Sequence, residues 1–168
     1  MALPVTLEDA KKQLRVIGND EDDTISGFIP DAAAWVEAYT GHLLEPREVV
    51  ERFSGHDLNL RYWPVAETGI SVAVGGVPIE GARLYQTVRP AAVLNPIGTA
   101  WPYLETGSVV EVTYTAGYAS PDDVPRNMVR AMLILISAYD ADREGGEIFQ
   151  RAEATAKNLC RQFKAWRA

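Results

Sequence analysis

The stretch VEVTYTAGYASPDDVPRNMVRAM, residues 110–132, contains a strand, a turn and the start of a helix in direct succession. Its first seven residues alternate between apolar and polar side chains, which predicts a half-buried strand. Gly117 permits the bend that follows, and Pro121 and Pro125 restrict the backbone after it. We therefore expect a rigid corner that fixes the next helix against a sheet.

The helix after this corner is predicted to be the central helix of the fold, over about residues 124–143. Asp122 or Asp123 is expected to cap it, and Pro125 suits its first turn. The chain is apolar on almost every side of the helix from Met128 to Tyr139, which is typical of a helix buried on several sides. Three of its residues are expected in the core: Met132, Leu133 and Ile136.

A short first helix is predicted over about residues 6–16. Thr6 and Asp9 have the spacing of a side-chain and backbone cap that closes the first turn of a helix. Gly18 follows the last apolar residue of the pattern, and glycine is the residue most often found just after a helix. We therefore expect this helix to end there.

A longer second helix is predicted over about residues 22–41. One of the acids in Asp20–Asp23 is expected to cap it, since carboxylates satisfy the free N–H groups of a first turn. Pro30 lies inside the apolar pattern and should bend the helix or delay its regular start. Gly41 is expected to end it.

The segment from Pro46 to Pro121 has a different texture, with short alternating runs between glycines and prolines. The runs predict strands of a small, mostly antiparallel sheet, and Gly75-Gly76 predicts a hairpin turn. The predicted strands are VVERF (49–53), LNLRYW (58–63), ISVAV (70–74), ARLYQTV (82–88) and VVEVTYTA (109–116). The predicted fold class is thus α+β, with helices at both ends of the chain flanking a sheet from the middle.

The end of the chain predicts an amphipathic fourth helix over about residues 147–166, after the break at Gly145-Gly146. From Ile148 onward five basic residues stand against one acid, in a chain with a net charge of −7. We expect a core domain over residues 1–146 and a basic C-terminal helix over 147–168. Residues 1–45 hold nine acids against three bases, so the two ends differ in charge. Such a difference is expected where the ends bind different partners or a neighbouring copy, and equally where two helix faces are merely solvated.

Composition excludes several classes of protein. The net charge of −7 is opposite to the basic surface of a general nucleic-acid binder. The start of the chain does not have the pattern of a signal peptide, and its longest apolar run, Ala131–Tyr139, is too short to span a membrane. We therefore expect a protein without membrane association.

No residue pattern in the sequence indicates catalysis. His42, His56 and Cys160 are far apart and predict neither a zinc site nor a nucleophile pair. A calcium loop starting at Asp20 would need glycine where Ile25 stands, so helix capping is the simpler explanation of the acids. We expect no metal, no cofactor and no enzyme activity. A carboxylate-based hydrolase and a monomeric binding module that uses the loops remain the alternatives.

The order of these parts resembles the head–tail connector, or adaptor, proteins of tailed bacteriophages. The resemblance lies mainly in TLEDAKKQLRV, in DEDDTISGFIPDAAAWVEAYTG and in the corner VEVTYTAGY with VPRNMVRAMLILISAYDADREG. It implies a virion protein that forms a twelve-fold ring at the head–tail interface, assembled in the host cytoplasm. The partners implied are further copies of the chain, the portal protein and a tail-completion or stopper protein. Genomic DNA would pass through the ring without specific binding.

The resemblance also suggests that the C-terminal part binds the portal. The residues expected to dock there are Arg161, Phe163, Lys164, Trp166 and Arg167. The alternative, that Phe163 and Trp166 close the protein's own core, is as well supported by the sequence. Trp101, in a loop rich in proline and glycine, is a candidate for a further partner contact.

Overall fold

The computed structural model describes residues 3–103, 107–142 and 144–164 and divides the chain into two units. The helical unit comprises residues 1–45 and 118–168, and the sheet unit comprises residues 46–117. Helices thus lie at both ends of the chain and a small antiparallel sheet comes from the middle, so the predicted fold class is confirmed. Whether residues 147–168 behave as a separate part stays a prediction.

The helical unit contains four α-helices: α1 (Leu7–Leu14), α2 (Asp22–Thr40), α3 (Arg126–Ala141) and α4 (Glu147–Cys160). The other three helices all pack on α3. Side chains from each helix form one core, whose members include Ala10, Ile25, Ala32, Val36, Met128, Met132, Leu135, Ile136, Ala156 and Cys160. Because most of these side chains are apolar and fully buried, their removal from water is the main force that holds the unit together.

The first helix begins as the sequence predicts. The Thr6 hydroxyl accepts a hydrogen bond from the Asp9 N–H (3.2 Å), and the Asp9 carboxylate accepts one from the Thr6 N–H (3.1 Å). The predicted end at Gly18 is wrong. The helix stops at Leu14 because Arg15 adopts a left-handed conformation (φ 61°), and the Val16 N–H then closes the last turn on Lys11 O (3.1 Å).

The second helix ends at Gly41, as predicted, with φ 72° and its N–H bonded to Glu37 O (2.8 Å). The prediction that an acid side chain caps its start is wrong. Glu21 occupies the cap position without a side-chain hydrogen bond to the helix, and Asp22 instead pairs with Lys11 of α1 (2.6 Å). This carboxylate therefore joins two helices, while the first turn of α2 begins from the Asp22 N–H bonded to Asn19 O.

The sheet unit contains six strands: β1 (Arg47–Phe53), β2 (Ser71–Val74), β3 (Val77–Ile79), β4 (Arg83–Tyr85), β5 (Ala92–Leu94) and β6 (Val110–Ala116). Four of them form an antiparallel sheet in the order β1-β6-β2-β3, and β4 pairs with β5. The side chains of β6 alternate between buried and half-buried, as predicted. Gly75 and Gly76 (φ 56° and 85°) make the predicted two-residue hairpin turn between β2 and β3.

The segment LNLRYW does not form the predicted strand. Leu58 and Leu60 are buried, so their alternation is as expected, but only Asn59 makes an isolated bridge, to Ala92. Two backbone bonds, from Leu60 N to Ala91 O (2.7 Å) and from Val93 N to Leu58 O (3.0 Å), are too few for a ladder. The strand β3 follows the predicted Gly75-Gly76 turn, whereas β5, three residues long, was not predicted.

Two predictions about α3 are corrected. Leu133, which is predicted to lie in the core, is half-buried. Leu135, which is not among the three predicted core residues, is fully buried. Leu133 faces open grooves that Pro4 and Val129 also line. Neither Asp122 nor Asp123 caps α3: both lie in a preceding 3-10 turn (Pro121–Asp123), and Pro125 precedes the first residue of the helix.

The fourth helix is shorter than predicted. It ends at Cys160, and a 3-10 turn (Arg161–Phe163) follows it. Residues 165–168, which the prediction placed partly in this helix, lie outside the described residues.

We expect Leu135→Ala to lower the free energy of unfolding by about 2–5 kcal/mol, because a fully buried leucine leaves a cavity. Leu133→Ala on the same helix is the matched control and should cost clearly less, since its side chain is only partly buried. Urea unfolding followed by circular dichroism measures both. Equal costs for the two variants would contradict the packing described for α3.

A second pair of variants tests the backbone. Gly76→Ala should destabilise the protein by roughly 1–2 kcal/mol, because alanine is strained at the left-handed φ of the hairpin. Gly27→Ala should stabilise it by about 0.5–1 kcal/mol, because Gly27 lies inside α2 with no atom within 4 Å of the new methyl group. The same urea experiment measures both, and a stabilising Gly76→Ala would refute the turn assignment.

Candidate interaction surfaces

The predicted portal-binding residues of the C-terminal segment have different surroundings. Phe163 is half-buried against the helical core, and its ring meets the His42 ring edge-on with centroids 5.7 Å apart. The Lys164 ammonium lies 5.0 Å from the centroid of the Tyr39 ring. Arg161 is exposed. Trp166 and Arg167 lie outside the described residues, so the structure places two of the five against the protein's own helices.

The His42 ring, which contacts Phe163, belongs to a buried polar cluster. His42 Nδ1 lies 2.6 Å from the Tyr118 hydroxyl, and the His42 N–H donates to the Thr40 hydroxyl (3.0 Å). The two rings are stacked, with centroids 5.7 Å apart. The buried polar groups of this cluster have hydrogen-bond partners. The position where Phe163 packs therefore carries no free-energy cost from unsatisfied donors or acceptors in the cluster.

The corner residues divide between the two units. In the sheet unit, Gly117 (φ 123°) donates its N–H to Pro64 O (2.8 Å). In the helical unit, Pro121 opens the 3-10 turn, which the Ser120 hydroxyl caps by accepting from the Asp122 N–H (3.3 Å), and Pro125 precedes α3. The predicted role of the corner in fixing α3 against the sheet stays a prediction.

An open pocket of about 440 Å³ lies between α2, α3 and the start of α4. Its aromatic wall is a row of three rings, in which Tyr139 lies between Phe28 (centroids 5.9 Å apart) and Phe149 (5.7 Å). Its other lining residues are Thr24, Asp31, Asp142, Glu144 and Gly145. We call this the aromatic–acidic pocket. It combines ring faces with carboxylates, and sequence analysis missed it.

A second open surface surrounds the end of α1. It is lined by three apolar, three basic and one acidic side chain: Leu7, Val16 and Ile17, then Lys11, Lys12 and Arg15, and Glu8. Ile17 is 98% exposed, more than any other large hydrophobic residue among those described. A single exposed isoleucine is ordinary on a protein surface, so its interest here lies in the basic side chains beside it. We call residues 15–17 the α1 knuckle.

The loop tryptophan is partly held by its own unit. Trp101 stacks on His56, with ring centroids 6.0 Å apart and planes 13° apart. Nearby in sequence, Ile97 and Tyr103 are 81% and 88% exposed. The loop from residue 95 to 103 therefore offers apolar surface to a partner, although Trp101 itself is only part of it.

Groups with shifted pKa values serve packing. Burial, and then the neighbouring Glu51 carboxylate, raise the pKa of Tyr114, whose hydroxyl donates to Glu51. Glu51 also accepts the Arg61 N–H (3.0 Å), so this pair ties the 57–62 segment to β1 and β6. Burial raises the pKa of the Cys160 thiol to about 11, which leaves it protonated and unreactive at neutral pH.

The described residues contain no group of three or more His, Cys, Asp or Glu side chains placed to hold a metal ion. Within the same ranges, none of the helices has the length and apolar character needed to cross a membrane.

Comparisons with known proteins give one family match. Residues 4–61 match the family model described as "Phage gp6-like head-tail connector protein". No match was found among curated proteins. The family match agrees with the prediction that the chain is not an enzyme, since the model describes head-tail connector proteins.

Solved structures of gene transfer agent (GTA) particles share the fold. A chain in the neck of an empty GTA particle computed with C6 symmetry matches with a TM-score of 0.73 and 21% identity, covering 100% of this chain and 94% of that one. A chain in the virion of a native GTA particle matches with a TM-score of 0.74 and 22% identity, covering 100% of this chain and 94% of that one. A chain in the neck of a native GTA particle computed with C12 symmetry matches with a TM-score of 0.72 and 21% identity, covering 99% of this chain and 91% of that one. The family model over residues 4–61 bears out the resemblance to phage head–tail connector proteins that the sequence indicates, and the solved structures, at 21–22% identity, share the fold.

Proposed function

We propose that this chain is a structural virion protein that forms a ring between the portal and the tail. The observation that carries the proposal is the match of fold over the full length of the chain to neck components of virus-like particles. The family match over residues 4–61 supports it independently. The site of action is then the head–tail interface, reached after assembly in the host cytoplasm.

The ring is proposed to extend the DNA channel and to offer a platform for a tail-completion or stopper protein. Necks computed with C6 and C12 symmetry are known for proteins of this fold, which favours a twelve-fold arrangement of copies. On the tail side, we propose the exposed loop of the sheet unit, with Trp101 and the more exposed Ile97 and Tyr103, as a partner contact. Aromatic side chains are common binding anchors.

The test of this function is uptake by heads. Purified chain is added to heads that carry a portal but no connector, and the heads are separated by sedimentation and imaged by electron microscopy. We expect a ring of density below the portal. Heads that never retain the chain would overturn the proposal.

The portal contact is proposed for the C-terminal segment, with Arg161 as its exposed charge. Arg161, Phe163, Lys164, Trp166 and Arg167 remain the candidates, but the contacts of Phe163 with His42 and of Lys164 with Tyr39 give those two a structural role as well. Deleting residues 161–168 would remove both roles at once. Single substitutions separate them.

Arg161→Glu should lower uptake by portal-bearing heads by about tenfold, equivalent to about 1.4 kcal/mol, with no change in stability. Arg151→Glu is the matched control: this residue lies on α4 with its side chain 83% exposed, and it pairs with Glu147 one turn away. Phe163→Ala should instead lower the free energy of unfolding, by about 1–2 kcal/mol for a half-buried ring. Equal uptake of the Arg161 and Arg151 variants would exclude Arg161 from the portal contact.

DNA is proposed to pass the ring without being held by it. A net charge of −7 per chain repels the phosphates of the duplex, so packaged DNA can slide. We expect no binding of duplex DNA by the purified chain in fluorescence anisotropy, even at low salt where electrostatic attraction is strongest. Tight binding that weakens as salt is added would contradict the proposal.

A further inference from the structure

The aromatic–acidic pocket has the chemistry of a site for a cationic side chain. The rings of Phe28, Tyr139 and Phe149 are half-buried in a row and turn the rest of their surface to the opening. Aromatic faces attract guanidinium and ammonium groups through their negative potential. A flat guanidinium also stacks on such rings and pairs with carboxylates through several N–H groups at once, so arginine fits this pocket best.

Three carboxylates line the pocket, and those of Asp31 and Glu144 are the two best placed to pair with a cation. Asp142 is already engaged, because it accepts the Phe149 N–H at the start of α4 (3.3 Å) and neighbouring backbone N–H groups, Gly146 first, hold its pKa below the usual range. Asp31 and Glu144 are exposed and make no ion pair among the described residues. Two carboxylates thus remain available to a cation at the pocket.

The same chain presents a matching projection in the α1 knuckle. Arg15 is exposed, and its left-handed backbone (φ 61°) is held by the closing bond from Val16 N to Lys11 O. Its neighbours Lys11 and Lys12 are paired with Asp22 (2.6 Å) and Glu8 (2.7 Å), whereas Arg15 has no such partner in the part of the chain that the structure describes.

Ile17 adds an apolar contact beside that charge. Its side chain is 98% exposed, so it does not occupy any pocket of its own chain. The knuckle and the aromatic–acidic pocket share no lining residue. One copy can therefore offer its knuckle to a neighbour while its own pocket receives another.

We propose that the Arg15–Ile17 knuckle of one copy binds in the aromatic–acidic pocket of the next copy, with Arg15 over the rings and between Asp31 and Glu144. The contact joins two different surfaces, so repetition of it closes a ring when the rotation between copies allows. This inference rests on the proposed ring and names the surfaces that build it. A second copy is the occupant because this chain itself supplies the complementary charge and the exposed apolar side chain.

The test uses disulfide trapping between two variants of the full chain, each carrying one added cysteine. Ile17→Cys places a thiol on the knuckle, and Thr24→Cys places one on the exposed rim of the pocket. The native Cys160 is buried and is left unchanged. After mixing at high concentration under mild oxidation, we expect a mixed dimer in clear excess over either variant alone. Val77→Cys, on an exposed apolar residue of the sheet unit, replaces Ile17→Cys in the control mixture.

Charge reversal then tests the role of Arg15. Adding Arg15→Glu to the knuckle variant should lower the yield of mixed dimer about tenfold, the effect of losing one charge-assisted contact. Adding Asp31→Arg to the pocket variant should restore it. Both positions are exposed, and circular dichroism confirms that each variant is folded.

A yield no higher than that of the Val77→Cys control, or one that Arg15→Glu leaves unchanged, would overturn the inference. Uptake of the unmodified chain by heads is measured separately. If heads take up the chain while no specific disulfide forms, this interface fails and the proposed function stands.

Discussion

The structure depends on the burial of α3 between three other helices. Met128, Met132, Leu135 and Ile136 are completely buried, and α1, α2 and α4 each pack on the helix that carries them. The helices α1 and α2 precede the sheet unit in sequence, and α3 and α4 follow it. The apolar surface of α3 therefore brings the two ends of the chain into one unit. Without that burial, α1, at eight residues, would be too short to persist in water, and the longer helices would lose the packing that supplies most of their stability.

This constraint decides which groups are left for other tasks. Tyr114, Asp142 and Cys160 have pKa values moved by burial or by backbone N–H groups, and each of them serves packing or the start of a helix. Shifted pKa values often mark catalytic sites, but ion pairs and caps inside a fold shift them as well. What the described surface offers instead is aromatic rings, exposed apolar side chains and separated charges, which suits a protein that acts by contact.

Periodicity was enough to predict the helices, since each carries a long apolar stripe, and to predict β6 and the Gly75-Gly76 turn. Periodicity did not predict the features that depend on one residue's backbone conformation or on one side chain's partner. Arg15 adopts the left-handed conformation that glycine usually provides, and Asp22 pairs with another helix where a cap was expected. Leu133 is predicted to lie in the core but is half-buried, because a helix that is apolar on nearly every side does not reveal which face is innermost.

The candidate surfaces were harder to predict because they join residues far apart in sequence. Phe28 and Phe149 contribute to one pocket through Tyr139, yet the spacing between them carries no motif. The basic C-terminal segment was visible as a run of charges, but the contacts of Phe163 and Lys164 with the core depend on the folded helices. A single helical unit thus holds the N-terminal knuckle, the aromatic–acidic pocket and the segment proposed to bind the portal. Since all three rest on the buried α3, strain applied to one of these contacts is resisted by the same core that positions the others.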